Sequence, residues 1–203
     1  MPQTSTSDIA FTPTVKAIQQ RKGSRHGYAQ MEARGGWQTT ITSDLAAFIG
    51  TVRSFYLATA NAEGQPYIQH RGGPPGFLHV LDETTLALVD FKGNRQFITQ
   101  GNLQENAKAF IFLMDYAHRR RIKIWGRARM IEDDPDLIKR LMPDNSAARP
   151  EQVLVFRVEA WDANCPQHIP QRFEAEDIAH ALSERDVRIA ELEARLAAAM
   201  KQG

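Results

Sequence analysis

Hydrophobic and polar positions change their spacing several times along the chain. Residues 1–42 are mostly polar, with Gly23, Gly27, Gly35 and Gly36 scattered among charges. They predict an irregular arm with one short helix near Thr14–Gln20. In "SDLAAFIG" the residues Leu45, Phe48 and Ile49 share one helical face, with Ser43 placed to cap it and Gly50 to stop it. From Arg53 the period drops to two. "SFYLATA" and "PYIQHR" flank a loop carrying Gly64 and predict a hairpin, and "GFLHVL" and "TLALVDF" flank "DET" and predict another.

Further on, Phe97, Ile98 and Leu103 have helical spacing in "RQFITQGNLQEN", weakened by Gly101. "AFIFLM" is apolar at every position, as in a strand buried on both sides. "RRRIKIWGRARMIE" alternates, with Arg121, Lys123, Trp125, Arg127 and Arg129 on one face and Ile122, Ile124, Ala128 and Met130 on the other. "DPDLIKRLM" predicts a short helix with Pro135 near its start, and "QVLVFRVEAWDAN" a last long strand. Short antiparallel strands with few helices make the fold class mainly β (α+β), a small closed or split barrel.

The last segment differs again. Ile178, Leu182, Ile189, Leu192 and Leu196 follow a near-heptad spacing broken by Arg185, with Glu184–Arg188 and Glu191–Arg195 spaced as i,i+4 pairs. Its length suits a helix docked on a partner subunit or on the barrel better than a free zipper. The expected organisation is an N-terminal arm at 1–42, a barrel at 43–171 and a C-terminal helix at 172–203.

Composition narrows the function without choosing it. The 203 residues carry 25 basic and 24 acidic side chains, so nothing global favours nucleic acid. The basic face at Arg121–Arg129 has only Trp125 for base stacking, which argues against an RNA-binding barrel. The single cysteine, Cys165, fits a reducing compartment. The start "MPQTSTSDIAF" lacks the regions of a signal peptide, and no apolar run approaches membrane-spanning length. A soluble cytoplasmic protein without membrane contact is expected.

Two loops carry the candidate chemistry. "QHRGGPPGF" places Gln69, His70 and Arg71 before Gly72 and Gly73, where the backbone admits close approach. "FKGNRQF" places Lys92, Gly93, Asn94 and Arg95 at the start of a helix, with Asn94 as its N-cap. A helix N-terminus, an ammonium and two guanidiniums together suit a phosphate. Ordinary solvated basic turns are the alternative. Cys165 and His168, spaced C-x-x-H, are the low-ranking catalytic candidates. A thiol polarised by His168 and a Pro-rich structural turn both fit them, and a zinc site lacks further ligands, so no metal is expected. The histidines at 26, 79, 118 and 180 read as surface or satisfied core residues, and Trp37, Trp125 and Trp161 as core or interface aromatics.

Together "QHRGGPPGFLHVLDE", "LALVDFKGNRQFITQGNL" and "FLMDYAHRRRIKIWGRARM" resemble the pyridoxamine 5′-phosphate oxidase-like flavin-binding split barrels, over roughly Leu45 to Gln171. The resemblance implies a homodimer with FMN in clefts at the subunit interface. It implies phosphate contacts from Arg71, Lys92 and Arg95, a flavin ring beside Gln69, His70 and Arg71, and Arg121 and Lys123 reaching the cofactor, across the interface in some arrangements. The arginine–leucine–histidine segment by which the vitamin enzyme binds its substrate is missing. "NCPQHIPQ" is similar instead to a branch of flavin-binding relatives with undefined substrates. The expected function is therefore an FMN-dependent oxidoreductase acting on an unidentified small molecule, with a flavin carrier or sensor as the alternative.

Overall fold

The computed structural model describes residues 5–143, 147–164 and 166–200. Two compact units divide the chain: Met1–Asp115 with Arg120–Pro166, and Tyr116–Arg119 with Gln167–Gly203.

The first unit is an antiparallel sheet of seven strands: β1 (Ser54–Ala60), β2 (Pro66–Gly72), β3 (His79–Asp82), β4 (Thr85–Phe91), β5 (Lys108–Asp115), β6 (Arg120–Ile131) and β7 (Pro150–Asn164). Its order is β2-β1-β5-β6-β7-β4-β3. Strands and helices mix as α+β in a split β-barrel. The hairpins fall where the turn chemistry puts them. Gly64 adopts φ 87° between β1 and β2, and the Asp82 carboxylate accepts the Thr84 N–H between β3 and β4 at 2.8 Å.

Side-chain alternation buries one sheet face. Phe55 and Leu57, Ile111 and Leu113, Ile122 and Ile124 are at most 3% exposed and pack on Leu45, Phe48 and Ile49 of helix α3 (Ser43–Thr51). The cap of α3 is Thr42, whose hydroxyl accepts the Leu45 N–H at 3.2 Å, and Gly50 lies inside the helix, so α3 is capped one residue earlier than the sequence predicts and runs past its predicted stop. β5 is fully buried on one face only: Phe110 and Phe112 on the other remain half-buried. A second cluster joins Val89 and Val153 to Leu141 of α5 (Pro135–Leu141), which Asp134 caps by accepting the Leu137 N–H at 2.8 Å.

The N-terminal segment is more ordered than its polarity predicts. It forms a 3-10 turn at Thr6–Ile9 and helices α1 (Pro13–Lys22) and α2 (Arg25–Ala33). Thr12 caps α1, Pro13 opens it, and Gly23 closes it in the left-handed region. Few apolar residues hold these pieces together; a polar network does so. Arg25 grips the Glu32 carboxylate with both terminal nitrogens, Ser7 donates to it at 3.2 Å, and Lys16 bridges Glu32 at 3.5 Å and Asp8 at 2.5 Å. The Arg25 hydrogen bond holds the Glu32 carboxyl below its ordinary value, and the Lys16 hydrogen bond does the same for Asp8.

In the second unit, Gln171 donates to the Ala117 carbonyl at 2.8 Å and Arg172 lies 4.9 Å over the Tyr116 ring. Helix α6 (Ala175–Met200) follows, every residue of it exposed, including the stripe from Ile178 to Leu196. Arg188 pairs with Glu191 at 2.9 Å, not with Glu184 as the i,i+4 spacing predicts. Among the described residues, no helix is long and apolar enough to cross a membrane.

Two expectations follow from this packing. Register shifts at Trp125/Gly126, where β6 bulges against β7. A Cβ on Gly126 would stand 2.1 Å from the Arg157 carbonyl oxygen and 2.6 Å from the Phe156 ring. Gly126→Ala should cost about 3 kcal/mol in chemical denaturation, because backbone cannot yield as a flexible side chain can; an unchanged midpoint contradicts the packing. Asp8 and Glu32 have lowered pKa values, so their stabilisation is complete above the ordinary values of 3.8 and 4.5 and disappears as pH falls through the lowered ones. Limited proteolysis should find residues 5–40 protected at neutral pH and cleavable below about pH 4, before the sheet unfolds. Glu32→Gln should be cleavable already at neutral pH, and equal protection of that variant would remove the network from this role.

Candidate functional site

Sequence alternation and sheet order act together at one edge. On β2 the side chains of Tyr67, Gln69 and Arg71 face inward, while Ile68 and His70 face outward. Arg71 pairs in register with Phe55, and Gln69 with Leu57. β2 begins the sheet and β4 stands next to its far end, so no ladder joins them. A side-chain pair does. The Arg71 guanidinium donates through Nη1 to the Asp90 carboxylate, both side chains being less than one-fifth exposed. Gln152, opposite Asp90 on β7, donates to its other oxygen at 3.0 Å.

The same seam receives helix α4 (Ile98–Glu105). Thr99 donates to Gln69 Oε1 at 2.9 Å, and Asn102 to the Thr59 hydroxyl at 3.0 Å. The inward face of α4 is thus Thr99, Asn102 and Leu103, whereas Phe97 and Ile98 of the predicted apolar face are 44% and 39% exposed. The N-cap is Phe97, in the left-handed region and without a capping side chain; Asn94 instead accepts the Gln96 N–H at 3.3 Å. First-turn N–H groups of α4 are therefore left without the side-chain acceptor expected of Asn94.

A cleft of about 90 Å³ opens here, lined among others by Gln69, Arg71, Gly93, Asn94 and Arg95 with the first turn of α4. Arg95 and Phe97 adopt φ values of 59° and 53°, costly for residues with a Cβ and typical of loops shaped for a ligand. Arg95 extends 3.5 Å from Glu151 and over the Phe97 ring. Arg71 Nε is buried in this wall with no hydrogen-bond partner, a donor whose desolvation costs about 1–3 kcal/mol if it stays unmet. An orphaned guanidinium N–H, a second guanidinium, a glycine and an uncapped helix start fit an anionic oxygen cluster.

The ten cofactor candidates divide into groups. Gln69, Arg71, Gly93, Asn94 and Arg95 share the cleft. Lys92 sits beside it in a concavity with Arg95 and Arg149, its N–H bound to the Arg149 carbonyl at 2.9 Å. Gly72 borders a separate hollow with His70 and Phe77. His70, Arg121 and Lys123 belong to the opposite sheet face, where register aligns His70, Tyr56, Phe112 and Lys123 in one row. Lys123 there pairs with Asp162 at 3.5 Å. His168 is exposed at φ 64°, and Cys165 lies outside the described residues, so their pairing has no geometry here. Among the described residues no cluster of three or more His, Cys, Asp or Glu forms that could hold a metal ion.

Asp90, Gln152 and Thr99 belong to the site and escape a reading of motifs. Asp90 has a detectable signal, a lone carboxylate ending the apolar run "TLALVDF". Gln152 has none, since its role comes from its register opposite Asp90.

The family profile described as pyridoxamine 5′-phosphate oxidase matches residues 41–165. The chain belongs to the pyridoxamine 5′-phosphate oxidase family. Every residue of the cleft falls inside the matched stretch, and helices α1, α2 and α6 fall outside it. Solved structures with a similar fold include HupZ of Group A Streptococcus, at 19% identity over 66% of this chain and 99% of that one, TM-score 0.48. Another is a Clostridium acetobutylicum protein related to general stress protein 26 of B. subtilis, at 15% identity over 65% and 92%, TM-score 0.46. A third is a FAD-binding protein of Mesorhizobium loti, at 15% identity over 61% and 94%, TM-score 0.41. No curated protein matches the chain.

Proposed function

We propose that the protein is an FMN-dependent oxidoreductase that acts on a small molecule as a homodimer. The observation that carries this reading is the buried, unpartnered Arg71 Nε in a cleft shared with Arg95, Gly93 and the uncapped start of α4. The cationic lining of the cleft suits the phosphate end of the cofactor. Asp90 orients Arg71 by occupying Nη1 and leaves Nε for the anion. Arg95 would hold the outer oxygens, Lys92 would add charge at the rim, and Gln69, fixed by Thr99, would face the ring side of the same wall. FMN would supply the two-electron chemistry, and the residues around it orientation and electrostatics.

The dimer is supported by the outward sheet face. Ile68 is 63% exposed and Tyr56 37%, and they continue across β1 and β5 into half-buried Phe110 and Phe112. A second copy covering that apolar row would remove it from water and bring His70, Arg121 and Lys123 to the interface.

Purified protein should be yellow, with a flavin spectrum. Arg71→Ala or Arg95→Ala should weaken FMN by about 1.5–3 kcal/mol each, the scale of a lost charged hydrogen bond. Colourless protein that does not take up added FMN, or unaltered affinity in both variants, removes the cleft from this role. Bleaching by NAD(P)H with reoxidation by oxygen separates an enzyme from a carrier. In sedimentation the protein should be a dimer, and Ile68→Glu should shift it toward monomer and lower its flavin content; a fully yellow monomer contradicts the interface.

A further inference from the structure

A second cavity, of about 440 Å³, lies between the N-terminal segment and the outward face of β6 and β7. It shares no lining residue with the Arg71 cleft. Eight of its thirteen lining residues, Ala10 to Gln38, precede the stretch that matches the family, so this wall is an addition to the shared barrel. Its volume is that of a small-molecule site.

Five of the thirteen lining residues are aromatic. Trp37 stacks on Trp125 at 4.4 Å and 12°, and Phe11 stands 5.0 Å from both Tyr28 and Trp37. The walls are pinned from behind. Thr6 donates to the Trp37 carbonyl at 2.7 Å, Trp161 donates its backbone N–H to Gln38 at 2.8 Å, and its indole N–H reaches the Thr40 carbonyl at 2.8 Å. Tyr28 nevertheless remains 42% exposed, an aromatic surface left against water. In the same cavity Lys123 and Asp162 stand side by side, each side chain just over one-quarter exposed. That pair offers a donor and an acceptor next to each other and no net charge.

We propose that the N-terminal segment builds a binding site for a planar heteroaromatic molecule carrying a lactam edge. Its π-system would lie against the exposed ring of Tyr28 and the aromatic wall behind it. Lys123 would donate to its carbonyl and the Asp162 carboxylate would accept its N–H. A neutral aromatic hydrocarbon would leave the ion pair to be desolvated without recompense, and a simple anion would meet Asp162. The site stands on this cavity alone and holds whether or not the Arg71 cleft binds flavin.

Calorimetric titration of the full-length protein with quinazolin-4-one, a flat bicyclic lactam without phosphate, tests it. Saturable binding of one molecule per chain is expected, with 3-methylquinazolin-4-one, which lacks the N–H, about tenfold weaker. Tyr28→Ala should weaken quinazolin-4-one about three- to tenfold and Lys123→Met about tenfold, with circular dichroism unchanged. Tyr28 is exposed and keeps the test independent of folding should Lys123→Met perturb the sheet. Arg71→Ala should bind the probe as the unaltered protein does. Lack of saturable binding overturns the proposal, as does binding indifferent to both cavity substitutions. Binding lost in Arg71→Ala and kept in Tyr28→Ala places the probe in the other cleft and overturns it equally.

Discussion

The pair between Arg71 and Asp90 joins two strands that share no hydrogen-bond ladder. β2 stands at one end of the sheet and β4 next to the other. Backbone pairing leaves their relation open, so closure of the seam depends on side chains. A buried ion pair contributes little stability by itself, because both charges lose their water, but breaking it strands an uncompensated charge. Gln152 and the Gln69–Thr99 hydrogen bond add neutral contacts along the same line. One guanidinium therefore serves both as clasp of the barrel and as wall of its cleft.

That double use explains the loop after β4. Asp90 engages Arg71 through Nη1, which leaves Nε buried without a partner at the cleft. The turn through Gly93 lines that cleft, with Arg95 and Phe97 held in the left-handed region. Such strain persists only where the surroundings over-determine the conformation. Here the Lys92–Arg149 backbone bond on one side and the packing of Leu103 on the other supply that constraint.

The N-terminal segment obeys a different rule. It is held together by charge pairs around Glu32, and it meets the sheet through the Trp37–Trp125 stack and through hydrogen bonds of Trp161 to the Gln38 and Thr40 carbonyls. An element attached through polar contacts can vary without disturbing the barrel core. The family match begins only at residue 41, in agreement with that separation. The matched barrel and the aromatic wall before it give the chain two cavities of unlike chemistry: one cationic, the other lined in part by rings.

Period-two alternation in "SFYLATA", "PYIQHR" and "RRRIKIWG" was enough to place three strands, and in "RRRIKIWG" the two faces as well, since a half-buried strand must alternate. Gly64, Pro135 and the family resemblance likewise stood in the sequence, because turn geometry and motif spacing are local. So did the convergence of Arg71 with Arg95, as far as two loops with basic residues can indicate it. The resemblance grouped His70 with Arg71 beside one ring, but the same alternation separates them, since neighbours on a strand face opposite ways. What only tertiary structure decided is the company each side chain keeps. Asp90 and Gln152 enter the site through register across β4 and β7, separated by 62 positions along the chain. Asn94 loses the cap to Phe97 because the loop turns once more before α4. The polar segment before residue 42 becomes two helices because Arg25, Lys16, Asp8 and Glu32 find one another across it. Contacts between distant residues leave no periodic trace, and the chemistry of both cavities is made of them.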